Sequence, residues 1–352
     1  MTSTDVLSPL RSAFTGGADY LSACTAGLWM RPTRDAIVAD LERGAVTGAD
    51  PVRYDAAVHA SRAAFARLVG VPAASVAIGS QTSVLGSLLA ANLPDGAEVL
   101  CAEGDFSSVV LPFVYAGRGI RVRTAPLDGL ADAVAPTTDL VAFSLVQSAT
   151  GEVADAAAIT AAARRHGART LVDATQAVGW LPVDGASFDA LVCHAYKWLC
   201  APRGVAFLAL GDEYARTLRP VQAGWFAGAD PWSSCYGVEI DLAGDARRFD
   251  VSPAWQAFVG AAPALELFAA ADGAALHAHT TALADAFRER LDLPVPERSS
   301  AIVSWPDADG SALAHLRAAG ISASGRAGRA RVAFHVFNDE ADVTRAARAL
   351  GR

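Results

Sequence analysis

A chain of 352 residues that is 52% hydrophobic and 19% charged has the composition of a packed globular protein with more than one unit, and not of a disordered or fibrous one. Its formal net charge of -8 and lack of any basic run exclude the electrostatic footprint of a nucleic-acid- or anionic-lipid-binding protein. No stretch of about 18 apolar residues occurs, and Met1 to Phe14 lacks a basic start followed by an apolar run; a cytoplasmic protein with no membrane partner is expected.

Strand-length apolar runs alternate with alanine-rich helical stretches through the first 210 residues, the pattern of a mainly parallel sheet between helices. The expected strands are Ser75 to Ile78, Glu98 to Ala102, Val122 to Ala125, Leu140 to Phe143, Thr170 to Val172, Ala190 to His194 and Gly204 to Leu210. Between them, Ala56 to Leu68, Ser83 to Ala91 and Ala156 to His166 read as helices. From Arg216 to Asp250 the chain loosens into Gly, Trp, Pro and Ser, as loops over a site do. One long helical region, Pro253 to Leu291, then leads to a short α/β tail with strands near Ala301 to Trp305 and Arg331 to Phe337. The expected division is a large domain over 16–255 and a smaller C-terminal α/β domain over 256–352, joined by residues 1–15.

Five cysteines, odd in number and scattered, predict neither a disulfide framework nor a zinc site, and His277 and His279 face different directions on a helix; no metal is expected. One count is sharper. Of the 29 basic residues a single one, Lys197, is lysine. Arginine replaces lysine wherever any cation suffices, but its guanidinium cannot act as a deprotonatable amine. A lone lysine just after an expected strand is therefore a candidate Schiff-base residue. The preceding strand ends on Asp173, and a buried carboxylate with a lysine amine is the pair that pyridoxal 5'-phosphate (PLP) chemistry needs.

Leu171-Val-Asp-Ala-Thr-Gln-Ala-Val-Gly179, followed by His194-Ala-Tyr-Lys-Trp-Leu199 and Pro202-Arg-Gly204, resembles the class V aminotransferase family. That family contains cysteine desulfurases, C–S lyases, kynureninase-like hydrolases and epimerases. The resemblance spans Tyr20 to about Asn338. It implies PLP fold type I, with a mainly parallel seven-stranded sheet in the large domain, and PLP bound to Lys197. By the same match Asp173 faces the pyridine nitrogen, Gln176 approaches the 3'-oxygen, and His194 and Tyr196 reach the phosphate. Gly79-Ser-Gln-Thr-Ser83, whose bare reading is a helix N-cap, becomes a phosphate cradle with Thr82 and Ser83 as donors. Phe106 matches the ring on the cofactor face, and Ser148 or Gln147 stands where many relatives carry asparagine. Ser252 matches a hydroxyl residue that meets the neighbouring subunit's phosphate, implying a homodimer with a shared active site.

Arg331 matches the arginine that grips the substrate carboxylate; its bland alternative is a pairing with Asp339 or Glu340. Arg326 and Arg329 read as loop charges, while Arg203 and Trp225 are further substrate-binding candidates. The Gly320 to Gly328 loop holds no cysteine, which disfavours a persulfide-forming desulfurase. C–S cleavage or β-elimination on a cysteine-derived L-amino acid is preferred, with transamination and epimerisation as alternatives. No Gly-x-Gly-x-x-Gly run opens a helix, so a nicotinamide enzyme is disfavoured.

Overall fold

The computed structural model describes residues 5–352. In chain order the elements are α1 (Ser8–Ser12), α2 (Arg31–Thr47), α3 (Pro51–Leu68), β1 (Val76–Gly79), α4 (Thr82–Asn92), β2 (Glu98–Ala102), α5 (Ser107–Val114), β3 (Arg121–Ala125), β4 (Leu140–Ser144), α6 (Ala156–His166), β5 (Arg169–Asp173), β6 (Ala190–His194), β7 (Ala206–Leu210) and α7 (Asp212–Thr217). They continue with α8 (Trp255–Ala270), α9 (Gly273–Arg290), β8 (Ile302–Pro306), α10 (Ser311–Ala318), β9 (Ser324–Arg326), β10 (Arg329–Ala333) and α11 (Glu340–Ala349).

The first seven strands form one sheet in the order β1-β7-β6-β5-β4-β2-β3. Only the β7 pairings are antiparallel, so β1, β2, β4, β5 and β6 all end on the same side. Alternate residues of a central strand feed two separate cores: Val141 and Phe143 face one, Leu140 and Ala142 the other. This two-sided burial is why these strands read as unbroken apolar runs and not as alternating ones.

The second sheet is antiparallel, in the order β8-β10-β9, and shares a core with α9 and α11 through Leu283, Phe287, Val332, Phe334 and Val343. The stretch expected as one helical region is two helices meeting at 91°. Asp272 makes the break by capping the second, accepting hydrogen bonds from the amides of Ala274 and Ala275. Packing changes at that bend. α8 remains against α2 and α3 on the large core, and α9 turns to β8. Strand β10 begins two residues before the expected one and stops at Ala333. The expected Gly320–Gly328 loop contains β9, so Arg326 and Arg329 lie on strands and are not loop charges. The N-terminal residues join the second sheet, with Arg11 Nε donating to the Val336 carbonyl and bridges pairing Tyr20 with Ser322 and Ser22 with Ala333. Among the described residues no single helix is long and apolar enough to cross a membrane.

Edge strand β1 presents unpaired backbone groups that need cover. Asp250 accepts from the Ile78 amide at 2.8 Å, and Arg62 donates to the Val76 carbonyl. The two side chains also pair with each other at 2.6 and 3.1 Å, both buried. Burial raises the Asp250 carboxyl to about 6, against the pull of Arg62. Asp250→Ala would leave a buried guanidinium without its partner, so urea denaturation should show a loss of about 3–5 kcal/mol. A change below about 1 kcal/mol would mean that the pair is not holding this edge.

Candidate active site

Five strand ends converge. β1 leads through Ser80 and Gln81 to α4, β2 to Asp105 and Phe106, β4 to Gln147 and Ser148, β5 to Asp173 and Gln176, and β6 to His194, Tyr196 and Lys197. Ligands in open α/β sheets collect at this side.

Lys197 is buried, and its amine donates no hydrogen bond to any described residue. Two aromatic rings lie near it, with Nζ 5.2 Å from the Phe106 ring centre and 5.7 Å from that of Tyr196. Burial lowers its pKa to about 8; the Asp173 charge opposes that shift, while Arg331 and Arg326 add to it. Asp173 is buried too, and burial raises its pKa against hydrogen bonding from Thr175, whose amide donates at 2.8 Å. The two opposite charges influence each other but lie beyond ion-pair contact. A buried amine and a buried carboxylate held apart leave both groups costly unless something between them completes the pairing.

The turn carrying Lys197 is clamped from several sides. Gly27 donates its amide to the Tyr196 carbonyl at 2.9 Å, and a Cβ there would lie 2.1 Å from the Lys197 carbonyl oxygen. Gly179, at φ +112, would bring a Cβ within 2.8 Å of the Trp198 carbonyl oxygen. Trp198 Nε1 donates to Gln176 Oε1 at 2.8 Å. Buried His335 accepts at Nδ1 from the Val336 amide and donates from Nε2 to the Trp198 carbonyl at 3.0 Å. Burial pushes its pKa down to about 4, consistent with that neutral tautomer.

Gln176 spends both amide hydrogens on the Cys24 carbonyl, at 2.9 Å, and Ser148 Oγ, at 3.0 Å. The neighbouring Gln147 has a buried Nε2 with no partner. Arg331, 1% exposed, donates to the carbonyl and Oγ of Ser148, to Thr25 Oγ1 at 3.1 Å and to Ser324 Oγ at 3.1 and 3.2 Å. All these acceptors are neutral. Neither Asp339, which caps α11, nor Glu340 reaches it.

The α4 helix starts without a side-chain cap, which leaves the first-turn amides at Thr82 and Ser83 open. His194 is buried against the Tyr196 ring at 4.4 Å, and burial, then Arg203 and Lys197, lowers its pKa to about 4. Arg203 lies over the other candidate ring, 4.4 Å from the centre of Tyr196. Trp225 sits in an aromatic cluster with Phe226 and Trp232. Ser252 is exposed on the segment after Asp250, and its hydroxyl bonds to no described residue.

Thr175, Thr25, Ser324, His335 and Asp105 were not picked out from the sequence. Asp105 accepts from the Ser144 amide at 2.7 Å and the Phe106 amide at 2.6 Å, fixing the Phe106 backbone beside β4. Burial raises its pKa to about 6. Thr175 and Asp105 stand inside strand-end motifs; Thr25, Ser324 and His335 carry no local signal.

Fold and site together define a PLP-type enzyme of the α/β class. The chain matches the family described as Aminotransferase class-V over residues 52–304, and it belongs to that family. It is 32% identical over 249 residues to kynureninase of Deinococcus radiodurans, covering 67% of this chain and 59% of that protein. To isopenicillin N epimerase of Amycolatopsis lactamdurans it is 31% identical over 159 residues, covering 41% and 40%. The chain thus spans less than two thirds of the length of these curated relatives. Among solved structures, a C-DES mutant with glycine covalently linked to its PLP cofactor has a TM-score of 0.84 at 22% identity, covering 96% of this chain and 98% of that one. The cysteine desulfurase CsdA of Escherichia coli gives 0.82 at 19%, covering 97% of each. The chain is accordingly a PLP-dependent enzyme of fold type I. Its residues fit the cofactor: a buried amine for the aldehyde, a separated carboxylate for the ring nitrogen, and open helix amides for the phosphate.

Two measurements follow from this geometry. The free amine is the nucleophile and predominates above its pKa, so PLP uptake by the apo-protein should accelerate with pH through a midpoint near 8; a midpoint above 10 would show that the amine is not buried. Gly27→Ala should displace the Lys197 turn, costing about 1–3 kcal/mol in denaturation and weakening PLP retention. Wild-type stability and retention in that variant would show that the close approach is not required.

Proposed function

We propose that this enzyme acts on an L-amino acid through PLP carried on Lys197, and that it cleaves the Cβ–S bond of a cysteine-derived substrate by β-elimination. Arg331 carries the amino-acid reading: a buried guanidinium bonded only to neutral oxygens has an uncompensated charge, and a substrate carboxylate would complete it.

PLP, when bound, draws electrons from the substrate Cα. Asp173 holds a proton on the pyridine nitrogen by charge. Lys197 Nζ, with its proton affinity brought near neutrality by burial, takes the proton from Cα and can return one. Thr82, Ser83, His194 and Tyr196 hold the phosphate, and Gln176 and Ser148 border the 3'-oxygen. Phe106 covers the ring face. Ser252 reaches the partner subunit's phosphate in a homodimer, and Arg203 and Trp225 border the substrate.

The preference for elimination over persulfide transfer rests on the β9–β10 hairpin, which has no cysteine. Cys235 is tied within its own loop, its Sγ donating to the Pro231 carbonyl at 3.6 Å.

Incubation with cysteine S-conjugates should release pyruvate, ammonia and a thiol. A keto acid that retains the side chain would replace this reading with transamination, and an inverted amino acid would replace it with epimerisation. Arg331→Ala should leave the cofactor's absorption unchanged and raise KM about tenfold to a hundredfold, the worth of a charge-assisted hydrogen-bond pair. Unchanged kinetics would remove Arg331 from the substrate site.

A further inference from the structure

Two more guanidiniums share the face that Arg331 occupies. The antiparallel register sets Ser324 opposite Arg331 and Arg326 opposite Arg329. Cross-strand partners, and residues two apart on a strand, point to the same side of a sheet. That side is the one toward Lys197, because Arg331 on it reaches Ser148 and Thr25.

The hairpin is a tight one. Ala327 and Gly328 form its two-residue turn with φ of 50 and 71, both left-handed, as the type I' geometry demands. A side-chain-bearing residue is disfavoured there, so the turn is maintained at some cost, and Arg326 stands beside it on a defined strand.

Arg326 is exposed, and among the described residues its side chain bonds only to the neighbouring Gly325 carbonyl, at 2.7 Å. Arg329 donates to Ser304 Oγ at 3.0 Å and to its carbonyl at 2.9 Å. Neither forms an ion pair among the described residues. Like charges directly opposite on paired strands repel, in a chain with an excess of carboxylates. The Arg326 charge also acts on Lys197 in the same sense as that of Arg331.

We propose that Arg326, with Arg329 beside it, binds a second anionic group of the substrate, so that the substrate is an amino acid whose side chain ends in a carboxylate. Among cysteine S-conjugates this selects those with an acidic S-substituent. The inference rests on the amino-acid reading of Arg331. Diagonal cross-strand positions lie about 7–8 Å apart, within the reach of a dicarboxylic amino acid longer than aspartate.

Calorimetric titration of the PLP-loaded enzyme with S-carboxymethyl-L-cysteine and S-carboxamidomethyl-L-cysteine, which differ in little but charge, tests it. The acid should bind about fivefold more tightly or better, the preference should shrink with added salt, and Arg326→Gln should bring the ratio to about one. Equal binding of both by the wild type would overturn this inference and leave the amino-acid reading standing. A preference that survives in Arg326→Gln would overturn the assignment to Arg326. Binding of neither compound would overturn both readings together.

Discussion

The site depends on two opposite charges buried near each other but kept from touching. A lysine amine and an aspartate carboxylate in ion-pair contact would neutralise one another and leave nothing for a ligand to do. Separated, each sits in a low-dielectric setting that disfavours its charged form: the Lys197 pKa falls and that of Asp173 rises. The separation is a product of the sheet. Asp173 ends one strand, while Lys197 lies three residues past the end of the next, so a turn and not a ladder bond sets the distance between them.

That turn needs outside support, because a few residues beyond a strand have little intrinsic rigidity. Support comes from backbone passing close on both sides, at Gly27 and Gly179, and from His335 reaching across from the second sheet. Chain distant in sequence therefore holds the amine in place. The N-terminal segment is a working wall of the site as well, since Thr25 bonds Arg331 and the Cys24 carbonyl bonds Gln176.

The central strands were legible because two-sided burial writes an unbroken apolar run, and α6 because Asp155 and Gly167 bracket an alanine-rich stretch. Lys197 stood out through being the only lysine, and Asp173 through ending an apolar strand. The bend between α8 and α9 was missed because alanine-rich helical sequence runs up to it on both sides and only Asp272 and Gly273 mark the break. β9 was missed because three residues with two small side chains carry no strand signal; pairing with β10 makes them a strand. Thr25 and His335 were invisible for a related reason, since each matters through a contact with a residue far away in the chain, and Ser324 because only the β9–β10 pairing sets it opposite Arg331.

Arg331 shows how the two sheets are coupled through charge as well as through packing. Its positive charge lowers the proton affinity of Lys197, and among the described residues its guanidinium bonds only to neutral oxygens. An anion that neutralises Arg331 must therefore raise the proton affinity of the amine. By linkage, a protonated amine must favour that anion by the same factor. Anion binding at Arg331 on the second sheet and proton uptake at Lys197 beyond the end of the first would thus be one equilibrium, its sign set by the opposite charges of anion and ammonium and its size by their burial.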